Sequence, residues 1–287
     1  MQLAKYATAS DPTPRVGVVR GGSLRPLTGI DRLADVLFAA EPGLLATERI
    51  DPAGPGVPLH EARLLAPIDA QEVWGAGVTY QRSMEARQQE SEGGGSFYDQ
   101  VYRADRPELF FKATAGRVVG PGGAVRVRRD SRWTVPEPEL ALVLAPDLRL
   151  VGFTIGNDMS ARDIEGSNPL YLPQAKVYDA CCALGPVVTL AASMPPADAI
   201  GIGMRIERDG ATAFEGATST ARMARRFEEL VDWLGREDVF PAGVILLTGT
   251  GLVPPDEFSL RAGDVVHITI GGIGTLSNPV IQGPQPS

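Results

Sequence analysis

Three acidic side chains are spaced so that they can share one surface. Glu137 and Glu139 lie two residues apart in the run Pro-Glu-Pro-Glu-Leu-Ala-Leu-Val-Leu, which is typical of a β-strand. Because side chains alternate across a strand, both carboxylates face one side and the leucines face the other. A hairpin turn over residues 146–148 then brings Asp158 back beside Glu137 on an antiparallel strand. The sequence therefore predicts three carboxylates in one place.

The three carboxylates of such a cluster repel one another unless a cation lies between them. Oxygen ligands without a neighbouring Cys or His suit Mg²⁺, and also Mn²⁺ or Ca²⁺, better than Zn²⁺. Three protein ligands leave coordination positions open for water or substrate. The spacing alone leaves a second interpretation open, in which these are solvated acids on an exposed strand face.

Two further segments carry groups that can do chemistry. Glu108, Phe110 and Lys112 share one face of a predicted strand, so Glu108 and Lys112 either pair with each other at a strand edge or face a polar pocket. The run Thr-Gly-Thr-Gly at 248–251 follows a buried strand at 244–247. Its backbone amides and hydroxyls can bind a carboxylate, and the alternative is a glycine-rich turn.

Composition excludes several classes of protein. The 287 residues are 44% hydrophobic and 22% charged, which is typical of a globular protein. The net charge of -8 makes a nucleic-acid partner unfavourable, and no apolar run approaches the length of a membrane span. We therefore expect neither a nucleic-acid nor a membrane partner. The first residues lack the pattern of a secretory signal, which predicts a cytoplasmic protein.

The sequence contains only two cysteines and two histidines, and neither pair is predicted to carry the chemistry. Cys181 and Cys182 are adjacent and are expected to be reduced core residues, because neighbouring cysteines rarely have the geometry of a disulfide. The only histidines, His60 and His267, are far apart in sequence, which gives a histidine-rich metal site or a Ser-His triad little support. The chemistry is therefore expected from other groups.

The chain divides into two predicted domains. A hairpin around Gly21-Gly22 and a helical pattern from Ile30 to Ala40 make a small α+β unit, and a proline-rich connector follows at 51–60. We place the boundary near residue 65, which gives a small domain at 1–65 and a larger one at 66–287. Within the larger domain, residues 81–100 are expected to be a helix and a loop, either a lid or a surface segment without function. Residues 221–237 are expected to be a helix capped by Ser219 or Thr220.

Ordered motifs extend over residues 70 to 280. They are Phe110-Phe111-Lys112, Glu137-Pro138-Glu139, Asp158 with Ala161-Arg162-Asp163, Lys176, Gly185-Pro186, Thr248-Gly249-Thr250 and Gly272-Ile273-Gly274-Thr275-Leu276. In order and spacing they resemble the fumarylacetoacetate hydrolase family, and a series of motifs is more specific than any one of them. The resemblance implies a mainly-β α+β fold, a mixed β-roll behind a small N-terminal domain, in a homodimer or homotetramer. It also implies that Glu137, Glu139 and Asp158 bind Mg²⁺ and that Lys176 lies in the pocket.

Within that family, residues 74–80, 106–112 and 168–174 look most like the 2-keto-3-deoxy-D-arabinonate dehydratase branch. The family's C-C bond hydrolases typically place a water-activating His and Glu where this chain has Ser83 and Ala86. Hydrolysis thus loses its best general base, unless Glu85 takes the role, whereas elimination needs no attacking water. The expected activity is metal-dependent dehydration of a 2-keto-3-deoxy-pentonate to 2,5-dioxopentanoate through a metal-stabilised enolate.

The expected mechanism gives each group a role. Lys176 is the first choice for the base, because a nearby divalent cation and partial burial favour a neutral amine, although it could instead only form a salt bridge with a metal ligand. Glu108 is the candidate acid for the leaving hydroxyl, with Lys112 orienting it or the substrate, and the two roles could be exchanged. The side chains expected to contact the 2-keto acid substrate are Tyr80, Ser83, Thr248 and Thr250. Two alternatives remain: a hydrolase of an acylpyruvate or of a 2,4-diketo-3-deoxy sugar acid, and a non-catalytic keto-acid-binding protein.

Overall fold

The computed structural model describes residues 1–52, 54, 56–80 and 100–283. Strands predominate among these residues. The strands are β1 (Gln2–Thr8), β2 (Arg15–Arg20), β3 (Ser23–Pro26), β4 (Val57–Pro58), β5 (Ala62–Leu64), β6 (Glu72–Gly77), β7 (Glu108–Thr114), β8 (Val118–Val119), β9 (Val125–Val127), β10 (Thr134–Leu144), β11 (Leu150–Ala161), β12 (Cys182–Leu190), β13 (Gly201–Arg208), β14 (Ala211–Ser219), β15 (Val244–Leu247), β16 (Val265–Ile270) and β17 (Gly274–Gln282). The helices are α1 (Leu33–Leu37), α2 (Pro42–Arg49), α3 (Arg162–Ser167), α4 (Leu172–Lys176) and α5 (Phe227–Leu234).

The strands form two sheets. The larger has 12 strands in the order β4-β3-β2-β1-β12-β11-β10-β15-β6-β7, with β5 added to β1 and β8 added to β12. The smaller has 5 strands in the order β14-β13-β16-β17-β9. Most pairs are antiparallel, but β15 pairs with β6, β12 with β8, and β17 with β9 in parallel. This strand-rich, mixed arrangement agrees with the predicted fold class.

Strand β10 lies in the middle of the larger sheet, and all of its residues are buried. Leu140, Leu142 and Leu144 face a core shared with the smaller sheet and with α5. Ala141 and Val143 face a second core, which includes side chains of the N-terminal helices. Because apolar layers cover both faces, the strand is held rigidly at its centre.

The N-terminal part of the chain begins as predicted and then joins the larger sheet. Gly21 and Gly22 have φ angles of 58° and 74° and form the hairpin turn between β2 and β3. Strand β1 pairs with β12, so hydrogen bonds run across the predicted division at residue 65. The division into domains 1–65 and 66–287 stays a prediction. None of the helices within the described residues has the length and apolarity that a membrane span requires.

The helix predicted at 221–237 is wrong in its extent. Only residues 227–234 form the α-helix, and Ser219 caps a separate short 3₁₀ turn through the amide of Ala221 at 3.1 Å. The segment between the 3₁₀ turn and the α-helix is bound to another part of the chain. Met223 forms a β-bridge with Tyr80, and the amide of Ala224 donates to the carbonyl of Thr79 at 2.8 Å. Because these bonds hold the backbone extended, the α-helix begins only at Phe227.

Candidate active site

The hairpin β10–β11 brings the predicted carboxylates together. Its turn is closed by the amide of Leu148, which donates to the carbonyl of Ala145 at 2.8 Å. In the resulting register Glu137 lies directly opposite Asp158. Ligand oxygens of Glu137, Glu139 and Asp158 lie within 4.8 Å of one another, and all three side chains are buried. The predicted clustering is confirmed, and the solvated strand face is excluded.

Lys176 ends helix α4 and inserts its amine between two of these carboxylates. The Nζ atom lies 2.7 Å from Glu137 Oε2, 2.8 Å from Asp158 Oδ2 and 2.6 Å from the hydroxyl of Ser160. The side chain is only 1% exposed. The predicted pocket lysine therefore contacts two candidate metal ligands directly.

Lys112 lies on the other side of Asp158. Its Nζ atom contacts Asp158 Oδ1 at 2.5 Å and donates to the carbonyls of Met159 at 2.9 Å and Lys176 at 2.6 Å. Burial alone would lower the pKa of Lys112, but Asp158 and the neighbouring cysteines outweigh burial and raise this pKa to about 12. Lys112 is therefore a fixed positive charge, and its three donors hold Asp158 and the end of α4 in place.

Arg162 completes the charge balance of the cluster. It begins helix α3 and donates from Nη2 to Glu137 Oε1 at 2.6 Å, while its side chain is 2% exposed. The cluster thus holds three acidic and three basic side chains in a buried volume, where each unpaired charge would be costly.

Glu139 differs from the other two carboxylates because its hydrogen bond comes from the backbone. The amide of Gly249 donates to Glu139 Oε2 at 2.5 Å. Gly249 has a φ of 88°, a left-handed conformation that favours glycine. Burial, and then the charges of Asp158 and Glu137, raise the pKa of Glu139 well above its usual range. A cation placed between the carboxylates would relieve this repulsion.

Glu108 and Phe110 extend the site along β7. The Phe110 ring centroid lies 5.3 Å from Lys176 Nζ. The carboxylate of Glu108 lies over Gly77, where an added Cβ would come within 2.1 Å of Oε2. Lys112 lies at a bulge where β7 pairs with β6, since Ala113 and Phe111 pair with consecutive residues. Of the open interpretations for Lys112, the contacts favour the buried polar site, with Asp158 as its ionic partner.

The predicted substrate contacts have mixed surroundings. Tyr80 is buried beside Gly251, and burial, followed by the charge of Glu139, raises its pKa. The hydroxyls of Thr248 and Thr250 donate to backbone carbonyls of Leu140 and Leu252, at 2.8 Å and 3.0 Å. Ser83 lies outside the described residues, as do Glu85 and Ala86.

Sequence reasoning gave no individual role to Ser160, Arg162 or Gly249. The spacing held a signal for Ser160, because it follows Asp158 by two residues and therefore faces the same side of β11. In the 248–251 run, the backbone amide of Gly249 donates to the carboxylate of Glu139. No pattern in the sequence shows which of two distant segments will meet in this way.

The donor set fits a hard divalent cation. Three buried carboxylates offer oxygen ligands only, which is the preference of Mg²⁺. Lys176, Lys112 and Arg162 hold two of these carboxylates in place, as outer partners of metal ligands do. Fold and site together define a mainly-β protein with a buried carboxylate centre suited to metal-assisted chemistry.

The family follows from comparison with known proteins. Residues 72–281 match the family model described as fumarylacetoacetate (FAA) hydrolase C-terminal. This chain belongs to the fumarylacetoacetate hydrolase family, as its motifs implied, and the predicted fold is confirmed.

Within this family, the chain is similar to several sugar-acid dehydratases. A probable 2-keto-3-deoxyxylonate dehydratase of Haloferax volcanii is 53% identical over 214 residues, which cover 75% of this chain and 73% of the relative. A 2-dehydro-3-deoxy-D-arabinonate dehydratase of Saccharolobus solfataricus is 46% identical over 225 residues, covering 77% and 76%. The solved structure of a 2-keto-3-deoxy-D-arabinonate dehydratase complexed with magnesium and 2,5-dioxopentanoate superposes with a TM-score of 0.84. That match has 36% sequence identity and covers 99% of this chain and 100% of the other.

Proposed function

We propose that this protein is a magnesium-dependent hydro-lyase that removes water from a 2-keto-3-deoxy-pentonate and releases 2,5-dioxopentanoate. The observation that carries the proposal is the buried group of Glu137, Glu139 and Asp158 with the amine of Lys176 against two of them. The likeness to dehydratases, one of them solved with magnesium and 2,5-dioxopentanoate, gives the reaction and its product.

Glu137, Glu139 and Asp158 would hold the metal. When bound, magnesium would polarise the keto oxygen of the substrate and stabilise the negative charge that develops there. Mn²⁺ and Ca²⁺ suit the same oxygen ligands. Arg162 on Glu137 and the Gly249 amide on Glu139 fix the orientation of two ligands, and Lys112 fixes the third.

Lys176 is the proposed base that removes a proton from C3 of the substrate. Its amine is the basic group that contacts both Glu137 and Asp158, so it lies beside any molecule bound at this carboxylate centre. The aromatic face of Phe110, 5.3 Å from Nζ, limits the access of water on one side.

Glu108 is the proposed acid for the departing 4-hydroxyl. It lies two residues from Phe110 on the same strand, and its carboxylate occupies the space that Gly77 leaves. Lys112 contacts Asp158 and the backbone carbonyls of Met159 and Lys176, so its proposed part is to hold Asp158 and the end of α4. Tyr80, Thr248, Thr250 and Ser83 stay predictions as substrate contacts.

The proposed steps balance without an added reactant. A C3–H bond and the C4–O bond break, and the hydroxyl leaves as water with the proton that Glu108 supplies. The resulting enone then loses a proton at C5 and gains one at C3, which gives an enol with a C4=C5 double bond. This enol loses its hydroxyl proton and gains a proton at C4, which gives the aldehyde of 2,5-dioxopentanoate. No C–C bond breaks, and one water is lost overall.

Two further proposals concern the state of the protein in the cell. A homodimer or homotetramer is proposed from the family resemblance, and light scattering after gel filtration measures the subunit count. A cytoplasmic location is proposed from the likeness to sugar-acid dehydratases, and cell fractionation tests it.

Product analysis tests the proposed function. Purified wild-type protein with magnesium is incubated with 2-keto-3-deoxy-pentonates of each configuration and separately with acylpyruvates, and products are identified by mass spectrometry. We expect 2,5-dioxopentanoate from at least one pentonate. Pyruvate from an acylpyruvate, with no dioxopentanoate from any pentonate, would instead assign hydrolysis to the site, and binding without any product would assign a binding protein.

A further inference from the structure

Strand β6 presents two glycines to its neighbour β7, the strand that carries the proposed acid. In the antiparallel register of these strands, Gly77 lies opposite Glu108. A Cβ atom at residue 77 would come within 2.6 Å of the carboxyl carbon of Glu108, a separation that Cβ atoms essentially never show. Gly75 lies opposite Phe110, and a Cβ atom there would come within 2.6 Å of the ring. The side chains of β7 therefore lie across the backbone of β6, in space that the glycines leave open.

The backbone of β6 is held on its other side as well. Strand β6 pairs in parallel with β15, and Gly75 lies opposite Leu247 in that register. Just after β6, the buried hydroxyl of Thr79 donates to the carbonyl of Thr248 at 2.7 Å. Because these bonds fix the backbone, a side chain added at Gly77 would displace the carboxylate of Glu108, which ends a flexible side chain, rather than the strand.

The carboxylate of Glu108 lies on the same side of β7 as an aromatic wall of the site. Glu108 and Phe110 are two residues apart and share one face of the strand, so their side chains start about 7 Å from each other. The ring centroid of Phe110 lies 5.3 Å from Lys176 Nζ. A shift of the Glu108 carboxylate therefore changes its distance from a molecule bound against this wall.

We propose that Gly77 is a positioning residue, whose lack of a side chain lets the carboxylate of Glu108 lie within reach of the 4-hydroxyl of the substrate. This inference rests on the proposed function, in which Glu108 supplies the proton for that hydroxyl. In that step the O–H bond of the Glu108 carboxyl group breaks and the proton joins the hydroxyl oxygen. The C4–O bond then breaks, its electron pair leaves with the water, and the electron pair of the enolate forms the C3=C4 double bond. The steric argument holds for either protonation state of Glu108.

Five variants test the proposal. Gly77→Ala adds the Cβ atom without backbone strain, because Gly77 has no positive φ. Glu108→Gln removes the acid and keeps its shape, and it is made alone and together with Gly77→Ala. Glu108→Asp withdraws the carboxylate by one methylene and leaves β6 unchanged. Gly203→Ala is the matched control, since Gly203 lies inside β13 and a Cβ atom there would meet no heavy atom closer than 3.8 Å. Each variant is measured for kcat, KM, magnesium affinity by calorimetry and melting temperature, and Gly77→Ala is crystallised.

For Gly77→Ala we expect kcat to fall about 10- to 100-fold, because a displacement of about 1 Å at a reacting group can cost about 10²-fold. Since the candidate metal ligands lie on other strands, KM and magnesium affinity should stay within about twofold of wild type. Glu108→Asp should lose a similar part of kcat. In the Glu108→Gln protein, adding Gly77→Ala should change kcat by less than about twofold, because the group that it displaces no longer acts. Gly203→Ala should keep wild-type kcat, and the Gly77→Ala crystal structure should show the Glu108 carboxylate displaced with β6 and β7 still paired.

The outcomes separate this inference from the function on which it rests. If wild type forms 2,5-dioxopentanoate and folded Gly77→Ala keeps wild-type kcat, the role of Gly77 is refuted and the function stands. An equal loss from Gly77→Ala with Glu108 and with Gln at residue 108 would also refute it, because the effect would not pass through Glu108. If Gly77→Ala does not fold, Glu108→Asp decides, and wild-type kcat in that variant refutes the need for a carboxylate over Gly77. If wild type dehydrates no pentonate, the inference and the function are both overturned.

Discussion

The two halves of the β10–β11 hairpin have the same backbone pairing but opposite contents. Near the turn, β10 carries only apolar residues from Leu140 to Leu144, packed between two cores. Away from the turn, it carries Glu137 and Glu139, opposite the part of β11 that holds Asp158. The apolar half gains stability from burial, whereas the polar half places ionisable groups where burial is costly.

The apolar half of the hairpin determines how the carboxylates of the polar half are placed. A slip of one residue in the pairing would turn every side chain of a strand to the opposite face. In the apolar half such a slip would exchange Leu142 with the small Ala141 and the medium-sized Val143 in two packed cores. The apolar half therefore fixes the register, and that register places Glu137 opposite Asp158.

Removing the metal from the polar half should abolish dehydration, while the packing of the apolar half and the fold stay intact. We expect dehydration to be lost completely after treatment with a chelator and to return with Mg²⁺ or Mn²⁺, because the carboxylates alone cannot stabilise the developing negative charge. Far-ultraviolet circular dichroism before and after treatment is the control for folding. Full turnover by metal-free protein would show that the carboxylate centre is not the site of a metal.

Leu142→Ala should have the opposite effect. Leu142 is 0% exposed, so its truncation should lower the free energy of unfolding by about 2–5 kcal/mol while kcat of the folded protein stays near wild type. Urea unfolding and activity at a temperature well below the transition measure the two quantities. A large loss of kcat with unchanged stability would mean that the two halves are not separable.

Glu139→Gln should affect metal binding with little effect on folding. The loss of a ligand charge should weaken magnesium binding by at least about 10-fold, as measured by calorimetry. Because the pKa of Glu139 is raised in the folded protein, the stability it contributes is present at low pH, below its unfolded pKa, and is lost as pH rises through the folded pKa. Glutamine removes this dependence, so the metal-free variant should melt no lower than wild type at neutral pH. Unchanged magnesium affinity would remove Glu139 from the metal site.

The sequence predicts local features of this site better than distant contacts. Alternation along one strand and a short turn suffice to place Glu137, Glu139 and Asp158 together, because these contacts lie within a single hairpin. The amide of Gly249 on Glu139 joins segments 110 residues apart, and no periodicity in either segment encodes that contact. Likewise, the extended backbone before α5 follows from bonds to residues 79 and 80, which override a helical pattern.

In the proposed mechanism, Lys176 removes the C3 proton at a carboxylate metal centre. The most direct measurement compares wild type with Lys176→Met in deuterium oxide, following the C3 protons of a 2-keto-3-deoxy-pentonate and the aldehyde signal of the product by NMR. Methionine keeps the approximate length of the side chain and removes the amine, so magnesium affinity should persist through Glu137, Glu139 and Asp158. We expect wild type to form deuterated 2,5-dioxopentanoate. Lys176→Met should form it about 10²–10⁴-fold more slowly. Product formation by folded, metal-loaded Lys176→Met at the wild-type rate would show that Lys176 is not the base.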